Sequence, residues 1–252
     1  MQQTPLSRYE AILRVHLMPR FGPVPLNAIE RSDLTSWVSE LHASGLAGPT
    51  VRHVFAVLQG VLGAAALDGR IARNPASGIK LPRERQRTKR FLTHDEVSLL
   101  ADACGDDAVI IRVLAFCGLR FGELAALRVR NVDTLRRRLR IEKSVTEVNG
   151  VMVFGTPKSH QRRDVPIPAS LLDEVALACR GKSPDDLGFT ASMGGVIYLR
   201  NWRSRVFNVA AKRVGLAPLS PHELRHTSAS LAVAAGANVK AVHECSAMRR
   251  QR

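Results

Sequence analysis

The sequence predicts a mainly helical protein with a small antiparallel β-sheet, on three observations. Apolar residues recur at helical spacing along most of the chain. Strand-like runs are confined to three short stretches between residues 136 and 167. The basic run IKLPRERQRTKR over residues 79–90 holds no aromatic residue, so it reads as a linker between a helical part, 1–78, and a mixed part, 91–252.

In the first part, Leu6, Tyr9, Ile12, Leu13 and Leu17 mark one buried stripe, broken by Pro19, Gly22, Pro23 and Pro25. Ser32 or Asp33 caps a second helix through Leu34, Trp37, Val38 and Leu41 that ends near Gly45. Pro49–Thr50 opens a longer helix with Val51, Val54, Phe55, Leu58, Val61, Leu62 and Ala65 inward, stopping at Asp68–Gly69. A turn through Ile71, Asn74 and Pro75 closes the unit.

In the second part, Thr93 and Glu96 form a capping box. Residues 107–118 read as an apolar helix ending at Gly118, and Arg120 starts another that carries Leu124 and Leu127. Residues 136–141 alternate as a strand, 151–154 as its partner and 164–167 as a third strand, with Lys158 at the turn between the last two. Further helices follow over 168–179, 198–214, with Trp202, Val206, Phe207 and Ala210 inward, and 224–235. Asn238 caps a final turn.

Composition bounds the function. With 45% apolar residues the chain can bury a core, and its net charge is +15. That charge is shared: residues 1–90 hold 13 basic and 6 acidic groups, the remainder 24 and 16. Both parts therefore suit the same polyanion, and nucleic acid is the leading partner. The sequence predicts no membrane span, and the N-terminus has no signal-peptide layout. Cys104, Cys117, Cys179 and Cys245 are scattered, without metal-ligand spacing, so a cytoplasmic protein with reduced thiols is expected.

The chemistry gathers on Pro221-His222-Glu223-Leu224-Arg225-His226-Thr227, which puts His222 and Arg225 on one helix face. Histidine can exchange a proton near neutral pH, and arginine grips phosphate with a planar fork. The same letters match H-E-x-x-H, with His222 and His226 as zinc ligands, Glu223 as base and Glu244 as a third ligand. A basic chain with arginine inside the motif is a poor setting for a dication, so no metal or other cofactor is predicted. Arg120, in Gly118-Leu119-Arg120-Phe121-Gly122-Glu123-Leu124, and Lys158, in Thr156-Pro157-Lys158-Ser159, complete a set suited to one phosphodiester.

The ordered set Arg120, Lys158, His222-x-x-Arg225 resembles the catalytic domain of the tyrosine recombinases, the phage integrase family, over nearly the whole chain. The resemblance implies a helical, SAM-like core-binding domain ahead of an α+β catalytic domain. It implies site-specific recombination of double-stranded DNA at a core-type site. In that chemistry a tyrosine attacks one strand to give a 3′-phosphotyrosine, two arginines stabilise the phosphorane, and the lysine protonates the leaving oxygen. Glu123 then orients Arg120. Arg52 and His53 on the third helix, Lys89 and Arg90 in the linker, Arg162 and Arg203 are the candidate DNA contacts. The family's partners, a tetramer of its own subunits and a DNA-bending host factor, are implied with it.

One departure is expected to matter. After Val242 the family continues into a second active-site histidine and a short helix with the nucleophile. This chain reads His243-Glu244-Cys245-Ser246-Ala247-Met248-Arg249-Arg250-Gln251-Arg252. Tyr9 and Tyr198 are its only tyrosines, and both read as packing residues. The expectation is a C-terminally truncated form that occupies DNA without cleaving it.

Overall fold

The computed structural model describes residues 5–81, 90–148, 150–157 and 162–236. The chain divides into two compact units, residues 3–87 and the remainder.

In the first unit, α1 (Pro5–Ile12) runs through a π turn (Leu13–Leu17) into α2 (Met18–Phe21). Pro19 therefore does not break the helix as expected. The Met18 amide reaches back five residues to Leu13 O, so Pro19 begins a fresh turn, where a missing N–H costs little. Tyr9 also departs from the expected stripe: it is exposed, while Ile12 and Leu17 are buried.

Helix α3 (Arg31–Ala43) begins one to two residues before the expected caps. Glu30 is the N-cap, and Asp33 Oδ2 accepts the Glu30 amide at 3.0 Å. Helix α4 (Gly48–Leu67) buries Val51, Val54, Phe55, Leu58, Leu62 and Ala65 but leaves Val61 exposed. Each fully buried leucine here, such as Leu34 or Leu62, contributes about 1.5–3 kcal/mol. Asn74 pins the closing turn, donating to Gln59 O at 3.0 Å and accepting the Ala76 amide at 2.9 Å.

By length and composition alone α4 is long and apolar enough to cross a membrane, a test that the core helix of a globular unit also passes. Arg52 and His53 interrupt the sequence, yet a window of 18 residues still reaches a mean hydropathy of 1.4. In the fold a third of that window is buried, through the α4 residues that join the unit's own core with Leu34, Trp37 and Val38.

The second unit opens on α5 (His94–Ala103), whose capping box forms as read: the Glu96 amide donates to Thr93 Oγ1 at 3.2 Å, and the Thr93 amide to Glu96 Oε2 at 2.9 Å. Helix α6 (Ala108–Arg112) continues as a π turn (Val113–Cys117), stopped by Gly118 at φ 65°. Then come α7 (Phe121–Ala125), β1 (Val132–Asp133), β2 (Arg138–Ile141), β3 (Ser144–Val148), β4 (Val151–Gly155) and β5 (Arg163–Pro166). They are followed by α8 (Leu172–Cys179) and by α9 (Leu199–Trp202), which passes through another π turn (Arg203–Phe207) into α10 (Asn208–Arg213). Helix α11 (Pro221–Ala234) packs on the π turn that precedes Gly118.

The strand pairing differs from the expected one. β2 pairs with β1 and β5, while β4 pairs with β3, a strand the sequence reading missed. Two antiparallel sheets result among the described residues, β1-β2-β5 and β3-β4. β3 hid because Thr146 and Glu147 interrupt its apolar residues and only Val145 is buried. Strands β4 and β5, which flank Lys158 in the sequence, thus belong to different sheets, and Lys158 itself lies outside the described residues.

Candidate active site

The site begins where the π turn ends. Gly118 takes the left-handed conformation that residues with a Cβ reach only at a cost, and it sits close to α11: a Cβ there would lie 2.5 Å from Ser228 Oγ. The chain then extends through Arg120, the N-cap of α7. Glu123, at the third helical position, accepts the Arg120 amide at 2.9 Å and its Nη1 at 2.9 Å. Gly122 lets α7 approach β3, since a Cβ on it would lie 2.4 Å from Val145 O.

Glu123 is buried and serves a second guanidinium. Arg163, at the start of β5, donates Nη1 at 3.0 Å and Nη2 at 2.6 Å to its two oxygens. Burial alone would raise the Glu123 pKa. The paired bonds from Arg163 and the amide and guanidinium of Arg120 outweigh that, so the carboxyl lies below its usual range. Arg163 is the functional residue that sequence reasoning missed. Val165 points inward, so by strand alternation Arg163 does too, but the predicted strand began one residue later.

Helix α11 brings the second arginine. Ser220 caps it: Glu223 Oε2 accepts the Ser220 amide at 2.7 Å and its hydroxyl at 2.9 Å. Thr227 ties the helix to the segment before α5, accepting the Leu92 amide at 3.1 Å. Arg225, 5% exposed, donates Nη1 to Gly118 O at 2.6 Å. Burial, followed by the charge of neighbouring Arg120, pulls its pKa down to about 10. Phosphate oxygens fit the planar fork of such a cation.

Arg120, His222 and Arg225 line one groove of about 620 Å³, with Arg203, Ser144, Gly155 and Thr156 also on its wall. Three of the predicted catalytic side chains are therefore together, and Arg203, a predicted DNA contact, joins them. Lys158 lies outside the described residues, as does Lys89. Arg90 is in the same unit, but its guanidinium is paired with Glu96 at 2.8 Å and its amide with Glu223 at 3.5 Å. Arg162 is exposed, 3.9 Å from Glu142, and does not line the groove.

Arg52 and His53 belong to the other unit. His53 is half-buried, stacks on Tyr9 with ring centroids 6.4 Å apart, and keeps Nε2 buried without a hydrogen-bond partner. The zinc alternative finds no support in the geometry. The Glu223 carboxylate is taken up by the cap, His222 and His226 meet edge-on at 4.8 Å, and Glu244 lies outside the described residues.

Residues 90–250 match the sequence model of the phage integrase family. The tyrosine recombinase XerC of Shewanella amazonensis is 27% identical over 226 residues, covering 86% of this chain and 72% of that protein. The integrase of Mycobacterium phage D29 is 26% identical over 242 residues, covering 92% of this chain and 63% of that one. Among solved structures, the Tn1549 transposon integrase in complex with a circular intermediate DNA superposes with a TM-score of 0.84 at 21% identity, over 96% of this chain and 84% of that one. A lambda integrase dimer bound to a COC′ core site superposes with a TM-score of 0.75 at 17% identity, over 99% of this chain and 89% of that one. With the family model covering well over half of its length, this chain belongs to the phage integrase family.

Proposed function

We propose that the chain grips double-stranded DNA at a core-type attachment site and holds one scissile phosphate for site-specific recombination. The reading is carried by the single groove that Arg120, His222 and Arg225 share. In it Arg120 and Arg225 neutralise the charge that grows on the phosphorane, and His222 holds or moves a proton at a phosphoryl oxygen. Lys158, two residues beyond the groove residue Thr156, protonates the leaving 5′-oxygen. Arg52, His53, Lys89, Arg90, Arg162 and Arg203 supply contacts along the duplex.

These 252 residues hold no tyrosine after Tyr198, which is half-buried and whose backbone carbonyl accepts the Trp202 amide at 2.9 Å. We therefore assign them the phosphate cradle without the nucleophile: they occupy the site and form no covalent adduct by themselves. The second reading is a non-catalytic regulator that covers an attachment site. The proposed setting is the cytoplasm, without membrane, metal or cofactor. The partners are further subunits in a tetramer and a host protein that bends the DNA.

The test is duplex binding over a series of salt concentrations, with Arg120→Gln and Arg225→Gln beside the parent chain. Each variant is expected to weaken binding and to reduce the salt slope by about one unit. Unchanged slopes in both would remove the groove from the DNA interface. A nicked core-site substrate is expected to give no covalent product, and a trapped adduct would refute the missing nucleophile.

A further inference from the structure

The sheet β1-β2-β5 buries one face in the core, and its outer face is apart from the groove. Along β2, Leu139 and Ile141 point into the core while Arg138 and Arg140 point out and are exposed. On β5, Val165 points in and Asp164 out, opposite Arg140. Arg136 and Arg130 join them around an open basin of about 640 Å³, whose acidic members are Asp133 and Asp164. Arg130 is also paired with Asp185 outside the basin, so three further guanidinium groups against two carboxylates leave the basin cationic.

Its ion pairs do not explain that charge. Arg136–Asp133 and Arg138–Asp164 stand at 3.9 Å and Arg140–Asp164 at 3.5 Å, between side chains well open to water, where such pairs contribute little. All six basic residues between positions 128 and 140 are arginines. A face that needs only solubility is served as well by lysine, whereas a planar fork matches phosphate oxygens. Alternate residues on a strand stand about 6.7 Å apart, so Arg138 and Arg140 present a short row rather than a point. Arg137, between β1 and β2, is held at φ 53°, a conformation in which glycine or asparagine would sit more easily. No apolar or aromatic residue lines the basin, which disfavours a protein partner and base stacking alike.

We propose that this outer face is a second docking surface for duplex DNA, gripping the phosphate backbone of a segment other than the one in the groove. The two surfaces are distinct. A single step along β5 passes from Arg163, bonded to Glu123 beside the groove, to Asp164 in the basin, and the two cavities share no residue. On this proposal a duplex seated against Arg120 and Arg225 leaves the basin open, and one chain holds two DNA segments together.

The experiment loads the full chain on an immobilised duplex, washes it, and offers a second, fluorescent duplex of unrelated sequence. The parent chain is expected to capture the second duplex. Arg138→Glu/Arg140→Glu, checked for an unchanged melting temperature, is expected to bind the first duplex within about twofold and to lose second-duplex capture by about tenfold or more. Arg138→Gln/Arg140→Gln should fall between, because it removes charge without reversing it. Equal capture by parent and charge-reversed chains overturns the proposal. So does an equal loss on both duplexes, which would make the basin part of the first footprint. So does displacement of the second duplex by polyglutamate of matched charge as readily as by DNA, which would mark an acidic protein surface. Failure of the groove reading is separate: it shows as Arg120→Gln leaving the first duplex bound as before.

Discussion

Replacing Glu123 with Gln tests the centre of the site while nearly preserving shape. The carboxylate accepts four hydrogen bonds, from the amide and Nη1 of Arg120 and from both terminal nitrogens of Arg163. A glutamine keeps one acceptor oxygen and turns an NH2 group toward donors, leaving two guanidiniums uncompensated. Breaking a buried pair from one side costs about 3–5 kcal/mol. Arg120 and Arg163 keep 28% and 13% of their side chains open to water, so screening lowers that figure to about 3 kcal/mol. For a unit of this size the loss corresponds to a fall of roughly 6–12 °C in Tm, read by circular dichroism. The pH dependence carries a sign. The folded carboxyl titrates below its unfolded value, so its stabilisation is complete above about pH 4.3 and disappears as pH falls through the lower folded value. The gap between parent and Glu123→Gln should therefore close in acid. A Tm change within about 2 °C at pH 7, or a gap that widens on acidification, would refute the assignment of Glu123 as the shared anchor.

Three further outcomes follow from the same geometry. Burial and the Arg120 charge pull the Arg225 pKa down to about 10, so the salt slope of duplex binding should fall between pH 8 and pH 10, and it should fall less in Arg225→Gln. Gly118→Ala adds left-handed strain to a contact 2.5 Å from Ser228 Oγ and should cost about 2–3 kcal/mol in urea unfolding. The double variant with Ser228→Ala should recover about 1 kcal/mol, because the strain remains when the hydroxyl is gone. Thr93→Ala removes the cap of α5 and should cost about 1 kcal/mol without changing duplex affinity.

Local rules made much of the second unit legible. The Thr93–Glu96 box, the stop at Gly118 and the inward face of Trp202, Phe207 and Ala210 are each written within a few neighbouring residues, and each is found in the fold. The helix phase that puts His222 and Arg225 together was equally readable. Pairing between strands was not. Nothing local tells β2 that its partner is β5 rather than β4, because a strand's partner is fixed by tertiary packing and β3 carries little apolar alternation of its own. Arg163 was missed for a related reason: its bond to Glu123 spans 40 positions, and only the inward register of β5 hints at it. In the first unit, Pro19 misled because a π turn, invisible to a 3.6-residue period, absorbs it.

The absent side chain at Gly118 also acts as an index mark for the molecule. Arg225 and Ser228 both meet that one glycine, so the rotation of α11 about its axis is fixed there by contact rather than by the loops around it. Residues inserted beside Gly194, in the exposed turn between α8 and α9, leave that contact as it is. One residue added between Arg225 and Ser228 turns the two sides of the insertion by about 100° relative to each other, so only one of them can keep its place. Insertion is thus closed between Arg225 and Ser228 of α11.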